Sequence, residues 1–233
     1  MGNVFRRAEA EAAEDWPWVW ALREPAALDW KDRCADDAER QRVHAQQRLP
    51  VEVAPGLLLA SAKEAKSLRT LEALGVTHVL NAAGPFQRGP VEDYAARGIA
   101  YEELGGEDEE GYAMLESHLD AARSFVATAR PDGVVLVHCA AGLNRSGVVV
   151  AAERMLSTRE DVLSTVAHCR RRRGNMFLCN ESFQAQLVAL ARTNGLLGPA
   201  PGREGSVVPD SPPPKPAPGA PRKLGADALR RLV

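Results

Sequence analysis

Residues 134–147 read Val-Val-Leu-Val-His-Cys-Ala-Ala-Gly-Leu-Asn-Arg-Ser-Gly, and no other stretch constrains the fold as much. An apolar run ends at His138-Cys139. A short loop of small and polar residues follows, and a second apolar run resumes from Gly147 to Met155. Residues 134–138 are apolar almost throughout, as a central strand covered on both faces should be. Strand, loop and helix in this order are the repeating unit of an α/β fold. Ligands in open α/β sheets bind beyond the carboxyl ends of the strands. Cys139 lies at such an end.

The loop has the chemistry of an anion site. Its backbone, from Ala140 through Ala141, Gly142 and Leu143 to Asn144, is short enough to curl with successive N–H groups inward, a nest for an anion. The following helix adds N–H groups without acceptors and positive partial charge at its start. Arg145 adds a planar fork that matches phosphate oxygens two at a time. That electropositive setting suits a thiolate at Cys139, and a thiolate held against bound phosphate is a nucleophile for phosphoryl transfer. A cysteine and an arginine six positions apart are cheap by themselves. Cys34 and Arg40 share the spacing. That copy has no preceding strand and no glycine, and its three acidic residues would repel phosphate.

The run His-Cys-Ala-Ala-Gly-Leu-Asn-Arg-Ser, residues 138–146, resembles the signature loop of the cysteine-dependent protein phosphatases. Val53-Ala-Pro-Gly-Leu-Leu-Leu-Ala-Ser61 resembles the opening strand pair of the dual-specificity branch. Leu74-Gly-Val-Thr-His-Val-Leu-Asn-Ala-Ala83 resembles its next strand, and Asn180-Glu-Ser-Phe-Gln-Ala-Gln-Leu187 its closing helix. The resemblance spans roughly residues 50–195. Two positions depart from it: Cys179 stands where proline usually precedes the closing asparagine, and Asn144 stands where serine is more usual.

The reaction needs an acid, because a serine, threonine or tyrosine oxygen must be protonated as it leaves. Glu107, Asp108, Glu109 and Glu110 follow the strand expected at 99–102, and the residues alone do not choose among them. The resemblance selects Asp108, with Glu107 second. It also implies that Ser146 donates a hydrogen bond to the Cys139 sulfur and that His138 orders the loop from behind. Asn180 either braces the loop or caps the last helix. Ser146 is equally suited to a helix N-terminus. No cofactor and no metal are implied, and the five histidines show no ligand spacing.

The implied function is hydrolysis of phosphotyrosine and phosphoserine or phosphothreonine in a phosphoprotein, through a phosphocysteine intermediate. Uncharged Ala140, Ala141 and Leu143 favour a protein substrate over a phosphoinositide. Two other readings carry the same loop: an RNA 5′-triphosphatase, suggested by Gly142-Leu-Asn-Arg-Ser146, and a non-catalytic binder of phosphoproteins. A net charge of −2 argues against nucleic acid. Retention of both Cys139 and Arg145 argues against the non-catalytic reading.

The chain divides into an extension at 1–50, a catalytic domain at 51–198 and a tail at 199–233. The expected fold is α/β, with a central, mostly parallel five-stranded sheet flanked by helices. Strands are expected near 51–53, 57–60, 77–81, 99–102 and 134–138. Helices are expected near 63–74, 111–129, 145–157, 160–173 and 180–193. The extension holds all four tryptophans, at 16, 18, 20 and 30. Pro17 makes Trp16-Pro-Trp-Val-Trp20 read as extended, packed on the domain or docking a partner, and Glu24 to Arg48 reads as helical. Nine of sixteen prolines lie between Pro199 and Pro221, so the tail reads as extended, with Pro218 to Lys223 spaced for a partner of proline-rich peptides. Arg170 to Arg173 read as a solvated helix end that complements the dipole or steers acidic substrates.

No apolar run reaches the ~18 residues of a membrane span, and four irregularly spaced cysteines point to a reducing compartment. The expected location is therefore the cytoplasm, with the nucleus also open. Gly2 meets the first requirement for myristoylation, but Arg6 occupies the place of the expected serine or threonine.

Overall fold

A computed structural model describes residues 14–23, 49–129, 132–174 and 176–201. Five strands form one sheet: β1 (Val51–Ala54), β2 (Leu57–Ser61), β3 (Val76–Asn81), β4 (Ala100–Glu103) and β5 (Val134–Cys139). Their order is β1-β2-β5-β3-β4, with only the β1–β2 pair antiparallel. The sheet is therefore mixed but mostly parallel, and β5 is its central strand. Its side chains alternate between the two faces, as the pleat requires. Val135 and Val137 join one apolar cluster, and Leu136 joins the other.

Helices cover both faces. The larger cluster lies under α5 (Met114–Ala129), α6 (Arg145–Thr158), α7 (Val162–Arg173) and α8 (Glu181–Thr193), and includes Leu119, Val149, Met155, Val166, Phe183 and Leu187. The smaller one lies under α2 (Ala62–Ala65), α3 (Leu68–Ala73) and α4 (Val91–Ala96), through Ala65, Leu71 and Tyr94. Helix α6 is buried along nine residues, Ser146 to Glu153 and Met155, which explains its apolar run without a polar face.

Several boundaries differ from the sequence reading, each for a local reason. The single helix expected at 63–74 is two. Ser61 and Glu64 form a capping box at α2, and Ser67 caps α3 by accepting from the Thr70 N–H. Helix α5 begins at Met114 rather than 111 because Gly111 takes φ +85°. Helix α4 was not anticipated. Its six residues, between Pro90 and Gly98, are too short to display a helical period.

Residues 14–23 correct the reading of Trp16 to Trp20 as extended: they are helical and form α1. Pro17 lies within these helical residues. Trp16, Val19 and Leu22 are buried in the larger cluster, and Trp18 and Trp20 pack against it. Arg23 lies over the Trp16 ring and pairs with Glu181, while Asp15 pairs with Arg192. Trp30, the expected helix at 24–48, Gly2 and residues 202–233 lie outside the described residues.

Candidate active site

The loop from Cys139 to Arg145 joins β5 to α6, and its four carbonyls from Ala140 to Leu143 turn outward to donors in the frame. Ala140 O accepts from Ala62 N–H at 3.2 Å, and Leu143 O accepts from Leu178 N–H at 3.1 Å. Arg173 donates to Gly142 O at 2.9 Å and to Ala141 O at 3.0 Å. A planar trans peptide points its N–H opposite to its C=O. The N–H groups of Ala141, Gly142, Leu143 and Asn144 therefore face the loop interior, beside the acceptor-free N–H groups at the start of α6. Gly142 permits the curl. It takes φ +64°, and a Cβ there would lie 2.6 Å from Ala60 O.

Cys139 is buried at the base of this nest, and Ser146 Oγ donates to its sulfur at 3.2 Å. Arg145 opens α6 on the rim. One guanidinium nitrogen donates to Gly106 O at 3.4 Å, while Nε lies 3.9 Å from Asp108 Oδ2 and has no hydrogen-bond acceptor among the described residues. Gly106 is packed so closely that a Cβ would meet Ala82 O at 2.5 Å. The loop carrying Asp108 thus leaves β4 in a narrow choice of directions.

His138 is fully buried behind the loop. Its Nδ1 lies 3.4 Å from Cys139 O, so Nδ1 carries the proton. Burial pushes its pKa down to about 4, leaving a neutral ring at pH 7. The His138 carbonyl accepts from Ala82 N–H at 2.7 Å, which ties β5 to the end of β3. Asn81 fixes that end, accepting from Ala83 N–H and donating to Glu103 and Tyr101. Hydrogen bonding to Arg88 holds the Glu103 carboxyl down at about 2.

Of the four acids after β4, Asp108 is the one whose side chain reaches the loop. Asn144 Nδ2 donates to its Oδ2 at 3.3 Å, and Asn180 Nδ2 to its Oδ1 at 3.1 Å. Glu110 instead accepts from Glu181 N–H, at the start of α8. Glu107 and Glu109 are exposed. Asn180 caps α8 as well, accepting from Phe183 N–H at 3.2 Å, so the cap and the contact with the site coexist.

Every residue expected at the site, Cys139 to Ser146 with Asp108, His138 and Asn180, comes to this one place. Two contributors were missed. The sequence places Arg173 with Arg170 to Arg172 at a solvated helix end that complements the dipole or steers acidic substrates. Arg173 turns inward to the loop carbonyls, and Arg170 turns inward to Phe177 O and Leu22 O. Only Arg171 and Arg172 are exposed. A spacing of three along a helix puts 170 and 173 on one face, but nothing in the residues says that this face meets loop carbonyls. The side chain of Asn144 is the other, since the sequence points only to its backbone N–H. Among the described residues, no group of three or more His, Cys, Asp or Glu is placed to hold a metal ion. No helix among them is long and apolar enough to cross a membrane.

The family model for the dual specificity phosphatase catalytic domain matches residues 57–193. Dual specificity protein phosphatase 26 of Bos taurus is 38% identical over 143 residues, covering 60% of this chain and 66% of that protein. The Homo sapiens protein of the same name is 37% identical with the same coverage. The chain thus spans just under two thirds of the length of these relatives. The crystal structure of human DUSP28 has a TM-score of 0.57 at 27% identity, covering 64% of this chain and 96% of that one. A mouse putative dual specificity phosphatase complexed with zinc tungstate has a TM-score of 0.55 at 26% identity, covering 62% and 87%. With more than half of its length matched by that model and its loop built around Cys139 and Arg145, the chain belongs to the dual specificity phosphatase family and carries that family's catalytic domain.

Proposed function

We propose that the protein is a phosphoprotein phosphatase that hydrolyses phosphotyrosine and phosphoserine or phosphothreonine through a phosphocysteine. The observation that carries this reading is the ring of outward carbonyls, which turns the paired N–H groups toward the interior of the loop that begins at Cys139. Tungstate in the mouse relative is a tetrahedral oxyanion of the same kind as phosphate.

Cys139, as thiolate, attacks phosphorus in line with the departing oxygen. The S–P bond forms, the P–O bond breaks, and Asp108 gives its proton to that oxygen. Inward N–H groups and the Arg145 fork hold the equatorial oxygens, where charge is spread in the transition state. In the second step water attacks phosphorus, the Asp108 carboxylate accepts the water's proton, and the S–P bond breaks. Ser146 donates to the sulfur that leaves. His138 stays neutral and keeps the Cys139 carbonyl turned away from the nest.

The extension at 1–50, the catalytic domain at 51–198 and the tail at 199–233 form the proposed organisation, with the tail offering a partner-binding segment. Free Cys139, Cys169 and Cys179 suit a reducing, cytoplasmic compartment. A panel of phosphotyrosine peptide, phosphothreonine peptide and triphosphate-ended RNA tests the activity. Phosphate release from the peptides is expected. Release from the RNA alone would make the chain an RNA triphosphatase, and release from none would leave it a binder.

A further inference from the structure

We propose that the side-chain amides of Asn144 and Asn180 form a clamp that positions Asp108 over the phosphate loop; this rests on the proposed hydrolysis and names two positioning residues for its proton-transfer step. The two asparagines come from different elements, one from the loop itself and one from the cap of α8. Each donates to a different oxygen of the same carboxylate, at 3.3 and 3.1 Å. Two donors on two oxygens fix both the position and the plane of the acid. A single donor would leave the carboxylate free to turn about one bond.

The orientation of each amide is fixed independently of Asp108. Asn144 Oδ1 accepts from the Cys179 N–H at 2.9 Å, the Asn180 N–H at 3.1 Å and the Cys179 thiol at 3.4 Å. Its NH2 must therefore face the other way. Asn180 Oδ1 accepts from Phe183 N–H and Ser182 Oγ, so its NH2 is likewise free for the carboxylate. A serine at 144 would be too short both to accept from the 179–180 backbone and to donate to the acid.

The turn that carries these donors is itself held under strain. Leu178 is fully buried and takes φ +58°, an unfavourable backbone for a leucine. Such a residue persists only when its surroundings over-determine it. Here Gln184 donates to Leu178 O at 2.7 Å, Arg170 donates to Phe177 O at 3.2 Å, and Leu178 N–H reaches Leu143 O. The left-handed residue turns the chain so that the next two N–H groups meet Asn144. Strain of this kind in a segment that also caps a helix is consistent with a geometry retained for the site.

The test uses Asn144→Ala and Asn180→Ser in the full-length protein; serine retains the helix cap and loses only the amide donor. Phosphorylation of Cys139 is followed with a phosphotyrosine peptide, whose leaving oxygen needs a proton, and with an aryl phosphate of acidic phenol, which needs little help. Each variant should lose about tenfold more on the peptide than on the aryl phosphate, the upper end of what one hydrogen bond between neutral groups is worth. Added to Asp108→Asn, neither should widen that difference further, because the group they position is gone. Equal slowing of both substrates, or a further widening on top of Asp108→Asn, would overturn the clamp. If the wild type releases no phosphate from any substrate, the hydrolytic reading fails on its own. The clamp is then judged by amide hydrogen exchange at residues 106–111. Faster exchange in both variants supports it, and unchanged exchange overturns it.

Discussion

At the scale of single residues, the site depends on groups whose shape matters more than their charge. Arg145 shows this most directly. A lysine would keep the positive charge but replace a planar fork with a point charge that cannot hold two phosphate oxygens in register. Arg145→Lys should reduce kcat/KM on a phosphopeptide by ~10²-fold or more, the scale of losing one aligned donor to a developing charge. Retention of most activity would show that the guanidinium does not face the phosphate. His138 makes a prediction about stability. Its folded pKa of about 4 lies below the ordinary value of 6.5, because burial disfavours the charged ring. Between those values the unfolded chain binds a proton that the folded chain does not. Stability is therefore complete above pH 6.5 and falls as pH drops toward 4, by about 3 kcal/mol in all. Glu103 acts lower, over pH 4.5 to 2, where its depressed carboxyl is finally protonated. Urea unfolding at pH 7, 5.5 and 4 should show the upper loss in the wild type and not in His138→Asn. A flat wild-type profile across that window would contradict the neutral buried ring.

At the scale of elements, the anion nest is a product of neighbours and not of the loop alone. Helix α7 supplies Arg173, whose guanidinium takes the carbonyls of Ala141 and Gly142. Burial lowers its pKa from the guanidinium's usual range, and the nearby Cys139 opposes that shift. Arg173→Met keeps a stem of similar length but leaves two carbonyls without those donors. Affinity for vanadate or tungstate should fall about tenfold, since buried unpaired groups relax toward whatever donors remain. Unchanged affinity would mean that the loop holds its shape without α7. Helix α1 matters in a different way. It lies before the matched residues 57–193, yet Trp16 is buried in the same core as α8. Its Leu22 carbonyl accepts from Arg170 and Gln184, which also hold the turn at Phe177 and Leu178. Trp16→Ala should cost ~3–5 kcal/mol, as for other large buried aromatics, read as a lower urea midpoint. A change under 1 kcal/mol would show that α1 is not part of the folded core.

At the scale of the whole molecule, what could be read in advance was what one short stretch of chain determines for itself. The apolar run at 134–138 had to be a central strand, and the nest residues had to follow it, because both signals are local. The five strands and the helix after the loop came from the same kind of pattern. Asp108 needed the resemblance, because four neighbouring acids differ only in where a folded loop points them. Arg173 and the Asn144 side chain were illegible, since their partners lie 31 or more positions away in sequence. Trp16 to Trp20 misled because alternation with a proline reads as a strand, whereas Trp16, Val19 and Leu22, three apart, share one buried helix face. The central claim, that these parts meet to make Cys139 a phosphate acceptor, is tested most directly by trapping the intermediate. Wild-type and Cys139→Ser protein would be mixed with a phosphotyrosine peptide, quenched in denaturant within one turnover, digested and weighed by mass spectrometry. Phosphate mass on the wild-type peptide containing Cys139, with no phosphate there and no turnover in Cys139→Ser, is the predicted result. Phosphate release without any label on Cys139, or turnover by Cys139→Ser at the wild-type rate, would contradict it.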